Sequence, residues 1–173
     1  MLNRVQLRVC LSNSQNHKVI SQKAKYALRA LLELAKAGQG QAVLISGIAE
    51  KQRIPKKFLE QILLDLKNQG LLQSRRGKNG GYTLLKSPDD ITFGQVMRII
   101  DGPMAPLPCL SRMAYRRCTD CGDEETCEIR SVFADAYNAT ARVLDRTTLG
   151  DVLTSPDLLP DDQPSPEVAD ISA

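Results

Sequence analysis

The sequence predicts a mainly α-helical protein that carries one small β-hairpin and has a long helix near its C-terminus. Three observations lead to this fold class. Apolar residues recur at helical spacing in several segments, and a glycine-rich turn at 77–81 separates two short apolar runs. Apolar residues also make up 42% of the 173 residues, which is enough to build a core.

The N-terminal third predicts three helices joined by short turns. Ser21 suits the N-cap of the first helix, whose apolar stripe ends before Gly38. Ser46 is the expected cap of a short second helix. After a tight turn, Pro55 suits the first position of a third helix that runs to about Asn68.

The third helix is predicted to have two different faces. When residues are projected at about 100° each, one side is apolar and the other polar. The apolar side consists of Phe58, Leu59, Ile62, Leu63 and Leu66. Lys57, Glu60 and Gln61 lie on the opposite side, near the N-terminal end. One face therefore packs on the core while the other stays available to a partner.

The two short runs after Gly70 predict a hairpin. Leu71-Leu72 and residues 82–85 read as strands, and basic residues flank the turn between them. A nucleotide-binding loop is the rival interpretation of this turn, but it lacks a Gly-Lys-Ser/Thr ending and a strand-to-helix setting. Two short helices, a tight turn and a basic hairpin follow the element order of a winged helix-turn-helix.

The charge distribution favours a nucleic acid as the partner of this module. Residues 1–86 hold 16 basic and 4 acidic side chains, whereas residues 87–173 hold 7 and 16. Lysine and arginine neutralise phosphates, and Glu and Gln can read base edges in the major groove. Tyr82 could stack on the DNA backbone or belong to the core. The predicted DNA-contacting residues are Lys56, Lys57, Glu60, Gln61, Arg75, Arg76, Lys78 and Tyr82.

The second half predicts a helix, an irregular segment and a long helix. Thr92 can cap a helix that ends near Asp101, and residues 102–127 show no apolar period. From Glu128 onward, an apolar stripe follows a helix of roughly 25 Å. A one-sided helix of this length calls for a partner.

The predicted organisation has six parts and no membrane span, because no run approaches the roughly 18 apolar residues that a span needs. The parts are an N-terminal extension (1–18), a winged-helix domain (19–86), a connecting helix (87–101), a cysteine loop (102–127), the long helix with a short C-terminal helix (128–153) and a disordered acidic tail (154–173).

Four of the five cysteines fall within the irregular segment, at Cys109-x8-Cys118-x2-Cys121-x5-Cys127. Such clustering is typical of a metal, cluster or thiol-switch site in a reducing cytoplasm rather than of a disulfide-stapled secreted domain. An iron–sulfur cluster, a zinc ion and a Cys118–Cys121 thiol switch all remain open on spacing alone. Nearby arginines at 112, 116, 117 and 130 would favour thiolates.

A redox enzyme is the alternative from a different class. Cys118 and Cys121 form the C-x-x-C pair that thiol oxidoreductases use. Those motifs sit in a βαβ unit, and this segment has no such setting. We therefore expect a regulator and not an enzyme.

Several motifs resemble the bacterial winged-helix transcription regulators typified by IscR, NsrR and RirA. They are YALRALL at 26–32, FLEQIL at 58–63, RGKNGGY at 76–82, GQV at 94–96, PC at 108–109, CEIR at 127–130 and TLGDVL at 148–153. The likeness covers residues 19–153 and leaves out both termini. It implies a homodimer joined through the long helix, with Glu60 in the major groove and Arg76 near the minor groove.

The same resemblance implies that an iron–sulfur cluster controls DNA affinity. The family's cysteine ligands fall on Cys109, Cys121 and Cys127. Arg130 stands where the IscR branch has a histidine, so the fourth ligand must differ, and Cys118 is the first candidate. A [2Fe-2S] centre is favoured over a [4Fe-4S] centre.

Overall fold

The computed structural model describes residues 20–77, 80–119 and 121–155. The predicted extension, most of the acidic tail and Lys78 lie outside these ranges. The helices are α1 (Gln22–Lys36), α2 (Ile45–Gln52), α3 (Lys56–Asn68), α4 (Phe93–Asp101), α5 (Glu128–Arg146) and α6 (Leu149–Thr154), and the strands are β1 (Leu72–Arg75) and β2 (Gly81–Leu84). The predicted class, mainly helical with one hairpin, is confirmed.

Two of the predicted helix caps are present. The Ser21 side chain accepts a hydrogen bond from the backbone N–H of Ala24, at 3.0 Å, and the Thr92 side chain accepts one from Gln95, at 3.2 Å. These bonds satisfy donors that have no partner within the first turn of a helix.

The prediction for the start of α2 is wrong. The helix begins at Ile45, and Leu44 occupies the cap position without a side-chain hydrogen bond. Val43 is paired through its backbone with Tyr82, and the helix starts soon after this bridge, so Ser46 already lies in the first turn. Pro55 likewise precedes α3 as its N-cap rather than occupying the first helical position.

The core is formed mainly by α1 and α3. The Leu59, Ile62, Leu63 and Leu66 side chains of α3 are fully buried against α1, as the apolar face predicts. Phe58 departs from the prediction, because it is 40% exposed and packs edge-on against the Tyr26 ring at the margin of the core. The ring therefore covers the core edge instead of filling its centre.

The hairpin is an antiparallel pair that runs from Leu72 opposite Leu84 to Arg75 opposite Gly81. Val43 extends it through two backbone hydrogen bonds with Tyr82, each 2.9 Å long. Gly81 has a φ of 149°, and a Cβ there would clash with the Val43 backbone. Glycine at this position thus allows the chain before α2 to lie against the hairpin.

α5 is attached to the winged-helix domain at its C-terminal end. The Phe93 N–H donates to the Thr147 carbonyl at 3.0 Å, and the Leu149 N–H donates to the Ile91 carbonyl at 2.9 Å. Leu149 itself is completely buried in the core. α5 has 19 residues and spans about 28 Å at 1.5 Å per residue. Among the described residues, no helix is long and apolar enough to cross a membrane.

A buried carboxylate joins α1 to α2. Glu33 accepts hydrogen bonds from Lys36 at 3.2 Å and from the Gln52 amide at 2.8 Å, and it pairs with Lys51 at 2.5 Å. Burial raises the pKa of Glu33, but the hydrogen bonds from Lys51 and Lys36 outweigh it, so the pKa lies below its ordinary value of 4.5.

This carboxylate predicts a pH-dependent contribution to stability. The pKa of Glu33 is lower in the folded state than in the unfolded state. The contribution of Glu33 to the free energy of unfolding is therefore complete above about pH 4.5 and is lost as the pH falls through the folded-state pKa. Glu33→Gln should lower the free energy of unfolding by about 1 kcal/mol at neutral pH and by less at about pH 3. Urea unfolding followed by circular dichroism measures both values.

Glu50→Gln is the matched control, because Glu50 is exposed on α2 and forms no ion pair with the described residues. It should change stability by less than about 0.5 kcal/mol. An equal loss in the two variants, or a Glu33→Gln loss that is the same at both pH values, would contradict this account.

Candidate DNA interface and cysteine site

The polar side chains at the N-terminal end of α3 are exposed, as predicted. Within the described ranges, Lys56, Lys57 and Glu60 form no ion pair. The Gln61 amide donates to Asp65 at 2.8 Å, and Asp65 also pairs with Lys23 at 2.7 Å. The hydrogen bond from Lys23 is the main reason why the pKa of Asp65 is lowered. Lys56, Lys57 and Glu60 are therefore free to contact a ligand. Gln61 must first give up its hydrogen bond with Asp65.

The turn before α3 fixes this helix against α2. Arg53 adopts the left-handed conformation, with a φ of 51°, which only a few per cent of non-glycine residues adopt. The Ile54 N–H donates to the Ala49 carbonyl at 2.9 Å, and the Ile54 side chain is buried. The tight turn predicted before Pro55 is therefore present, and it sets the orientation of α3 relative to α2.

The hairpin places its basic residues at the tip. Arg75 ends β1 and Arg76 follows it, and both side chains are exposed. Lys78 lies outside the described residues. Tyr82 is half-buried and packs against the core, so the core interpretation of its ring accounts for its position.

All four described cysteines line one cavity of about 620 Å³ at the N-terminal end of α5. Cys109 is buried in a short 3-10 turn, Pro108–Leu110, and Cys127 is the residue immediately before α5. Cys118 and Cys121 lie on the loop between them. The Sγ atoms of Cys121 and Cys127 are 3.6 Å apart. The fold thus brings together residues that are up to 18 positions apart in sequence.

Arginine side chains surround the cysteines. Arg116, Arg117 and Arg130 line the cysteine cavity, and Arg112 lines a smaller neighbouring cavity with Cys109 and Arg130. The Arg117 guanidinium donates to the Gly122 carbonyl at 3.2 Å. The Arg130 Nε atom lies 4.0 Å from a Glu124 oxygen and is buried without a hydrogen-bond partner among the described residues. The cavity therefore has a cationic wall.

Two of the cysteines have shifted pKa values, and the two shifts have opposite signs. Hydrogen bonds with Cys127 and Cys118 raise the pKa of Cys121 to about 12. The backbone N–H of Arg130, followed by the Cys121 thiol, lowers the pKa of Cys127 below its ordinary value. The Arg130 charge contributes less than its backbone, so the start of α5 rather than the arginine side chain activates Cys127.

The donor set suits an iron–sulfur cluster. Among the described residues, no three His, Cys, Asp or Glu side chains form a preformed site for a single metal ion. Four thiols and three arginines line the same cavity. Thiolates are the usual ligands of such clusters, and cationic neighbours offset their negative charge.

A family model described as Rrf2, iron-dependent transcriptional regulator, matches residues 20–155. The chain belongs to the Rrf2 family. The resemblance deduced from the motifs is therefore confirmed, and the protein is a transcriptional regulator rather than an enzyme.

Relatives within the Rrf2 family include regulators of different kinds. An rrf2-like HTH-type transcriptional regulator of Rhodobacter capsulatus is 51% identical over 79% of this chain and 93% of its own. CymR, described as the global cysteine regulator of B. subtilis, has a solved structure with a TM-score of 0.65 and 34% identity, covering 78% of this chain and 95% of that one. IscR of T. potens has a TM-score of 0.63 and 28% identity, covering 80% and 88%.

The two shifted thiols predict different reactivities in the reduced, cluster-free protein. The thiolate is the reactive form, so Cys127 should react with iodoacetamide at about pH 7.5 at least about tenfold faster than Cys121. Mass spectrometry of the two peptides at successive times measures the rates. The rates should become similar in urea, where the folded environment is lost. Faster modification of Cys121 than of Cys127 in the folded protein would contradict the opposite pKa shifts of these two thiols.

Proposed function

We propose that this Rrf2 regulator is a cytoplasmic homodimer that binds operator DNA and whose DNA affinity depends on an iron–sulfur cluster. Cys109, Cys121 and Cys127 hold the cluster, Cys118 is the fourth ligand, and the centre is of the [2Fe-2S] type. The observation that carries the proposal is the convergence of all four thiols on one arginine-walled cavity at the start of α5.

Exposure and charge support the DNA-binding part. Lys56, Lys57 and Glu60 project from the end of α3 that would enter a major groove, and Arg76 extends from the hairpin tip. Lysine and arginine release counterions when they meet phosphates, which gives affinity and a steep dependence on salt. Glu60 accepts hydrogen bonds and can select cytosine, so it contributes to specificity rather than to affinity.

The apolar stripe of α5 supports the homodimer. Ile129 and Val132 are 63% and 69% exposed, and Phe133 and Val143 are also exposed. Large apolar side chains along one face of a 19-residue helix are costly to leave in water. A second copy of the same helix covers them with a matching surface, and two-fold pairing would place two copies of α3 on successive major grooves.

The position of the thiols supports a link between the cluster and DNA binding. When bound, an iron–sulfur cluster supplies a centre whose charge and integrity respond to redox state, iron supply or reactive gases. Cys127 would fix the start of α5, while Cys109 would tie the irregular segment after α4 to the same point. Segment 102–127 would depend on these bonds for its order, because its only described regular element is the Pro108–Leu110 turn.

A metal-free thiol switch is the second candidate, and the 3.6 Å separation of the Cys121 and Cys127 sulfurs favours it. Two thiols so close can be oxidised to a disulfide with small movements. A structural zinc ion, held by the same thiols, is the third. Iron, zinc, sulfide and free-thiol analyses of anaerobically purified protein distinguish the three.

The cluster hypothesis predicts the result of serine substitutions. Cys109→Ser, Cys121→Ser and Cys127→Ser should each remove at least about half of the iron and the visible absorbance, because each replaces a thiolate ligand. Cys118→Ser should do the same, because Cys118 is the proposed fourth ligand. The measurement is an anaerobic absorption spectrum with iron and sulfide quantified.

Cys10→Ser serves as the control, since it removes a thiol that lies outside the proposed ligand set. It should leave iron content and spectrum unchanged. Anaerobic wild-type protein that is colourless and lacks both iron and sulfide would exclude the cluster and leave the thiol switch or zinc.

The DNA-binding hypothesis predicts the effect of removing single charges. Lys57→Ala and Arg76→Ala should each weaken binding to an in vitro selected DNA site by about tenfold. Each phosphate contact also adds about one to the slope of log affinity against log salt concentration. Each variant should therefore show a shallower slope. Fluorescence anisotropy at several salt concentrations measures both quantities.

Arg146→Ala is the control, because it removes one positive charge from the last turn of α5, where no DNA contact is proposed. It should change affinity by less than about twofold. Binding that does not depend on salt, or equal losses in all three variants, would argue against the proposed interface.

A further inference from the structure

A second cavity lies between α4, α5 and the segment at 103–113. Its volume is about 580 Å³, within the range of pockets that hold small ligands. Arg98 from α4, Arg112 from the loop, and Arg142 and Asp145 from α5 line it. It shares no lining residue with the cysteine cavity, and a smaller cavity lined by Cys109, Arg112 and Tyr137 lies between the two.

The walls of this cavity carry an excess of positive charge. The Arg98 guanidinium pairs with the Asp145 carboxylate at 2.6 Å, and this hydrogen bond raises the pKa of Arg98. Arg112 and Arg142 form no ion pair with any described residue. Two guanidiniums are therefore left without a carboxylate partner beside one pocket.

Neutral polar groups complete the lining. Tyr137 and Asn138 face the same cavity from α5, and their hydroxyl and amide groups can donate hydrogen bonds. Guanidinium groups bind carboxylate and phosphate oxygens through pairs of parallel hydrogen bonds. We infer that this cavity binds a small dianion that bears carboxylate or phosphate groups. Two unpaired arginines match two negative charges, which favours a dianion over a monoanion.

The site would stay open in the proposed homodimer. At about 100° per residue, Asn138 and Arg142 lie on the side of α5 away from the exposed apolar stripe, whereas Tyr137 lies at the edge of that stripe. A second copy that covers Ile129 and Val132 would therefore leave the arginine side uncovered. Since Arg98 belongs to α4 and Arg142 to α5, the bound anion would contact both helices.

Calorimetric titration of the full chain, as purified anaerobically, tests the inference. Succinate and glycerol 3-phosphate are the two probes, and succinamide is the neutral control, all at the same ionic strength. We expect saturable binding of at least one probe with one site per chain and no binding of succinamide. The probe that binds more tightly identifies the carboxylate or the phosphate as the natural group.

Substitutions locate the binding site. Arg112→Gln and Arg142→Gln should each weaken the binding by about tenfold, since each removes a charge-assisted hydrogen-bond donor. Arg146→Gln is the matched control, because it changes the same charge on α5 outside the cavity, and it should change affinity by less than about twofold. Failure of both anions to bind saturably, or equal affinity in all variants, would overturn the inference.

Discussion

The attachment of α5 to α4 at one end is the constraint on which the rest of the structure depends. Backbone hydrogen bonds at Phe93–Thr147 and Ile91–Leu149, together with the Arg98–Asp145 ion pair, hold the C-terminal end of the helix against the winged-helix domain. The other end begins after Cys127, which closes segment 102–127. In the proposed homodimer, the spacing of the two α3 helices would therefore depend on how that segment is held.

The chemistry of the segment explains why thiols are placed there. Residues 102–127 lack an apolar period, and among the described residues Cys109 and Ser111 are its buried members. Burial of apolar surface therefore contributes little to ordering this part of the chain. Metal–sulfur bonds, or a disulfide, can order it instead, and either can be broken by a chemical signal. The segment would then be the sensor and also the part of the fold that depends most on metal–sulfur bonds or a disulfide for its order.

Local features were predictable from the sequence, whereas contacts between distant residues were not. The Ser21 and Thr92 caps, the end of α3 at Asn68 and the hairpin all follow from residue types within a few positions. The start of α2 was misjudged because a bridge to Tyr82, far along the chain, determines it. Spacing could not show that Cys109 reaches Cys127, or that Arg98 meets Asp145 across 47 positions.

The central claim is that the state of the thiol site controls DNA affinity through α5. The most direct measurement compares one anaerobic preparation before and after its cluster is removed by a chelator under reducing conditions. Affinity for a selected DNA site and dimer mass are measured on both forms. The account predicts a dimer in both forms and at least about a tenfold difference in affinity, equivalent to about 1.4 kcal/mol. Equal affinity of the two dimers would contradict it.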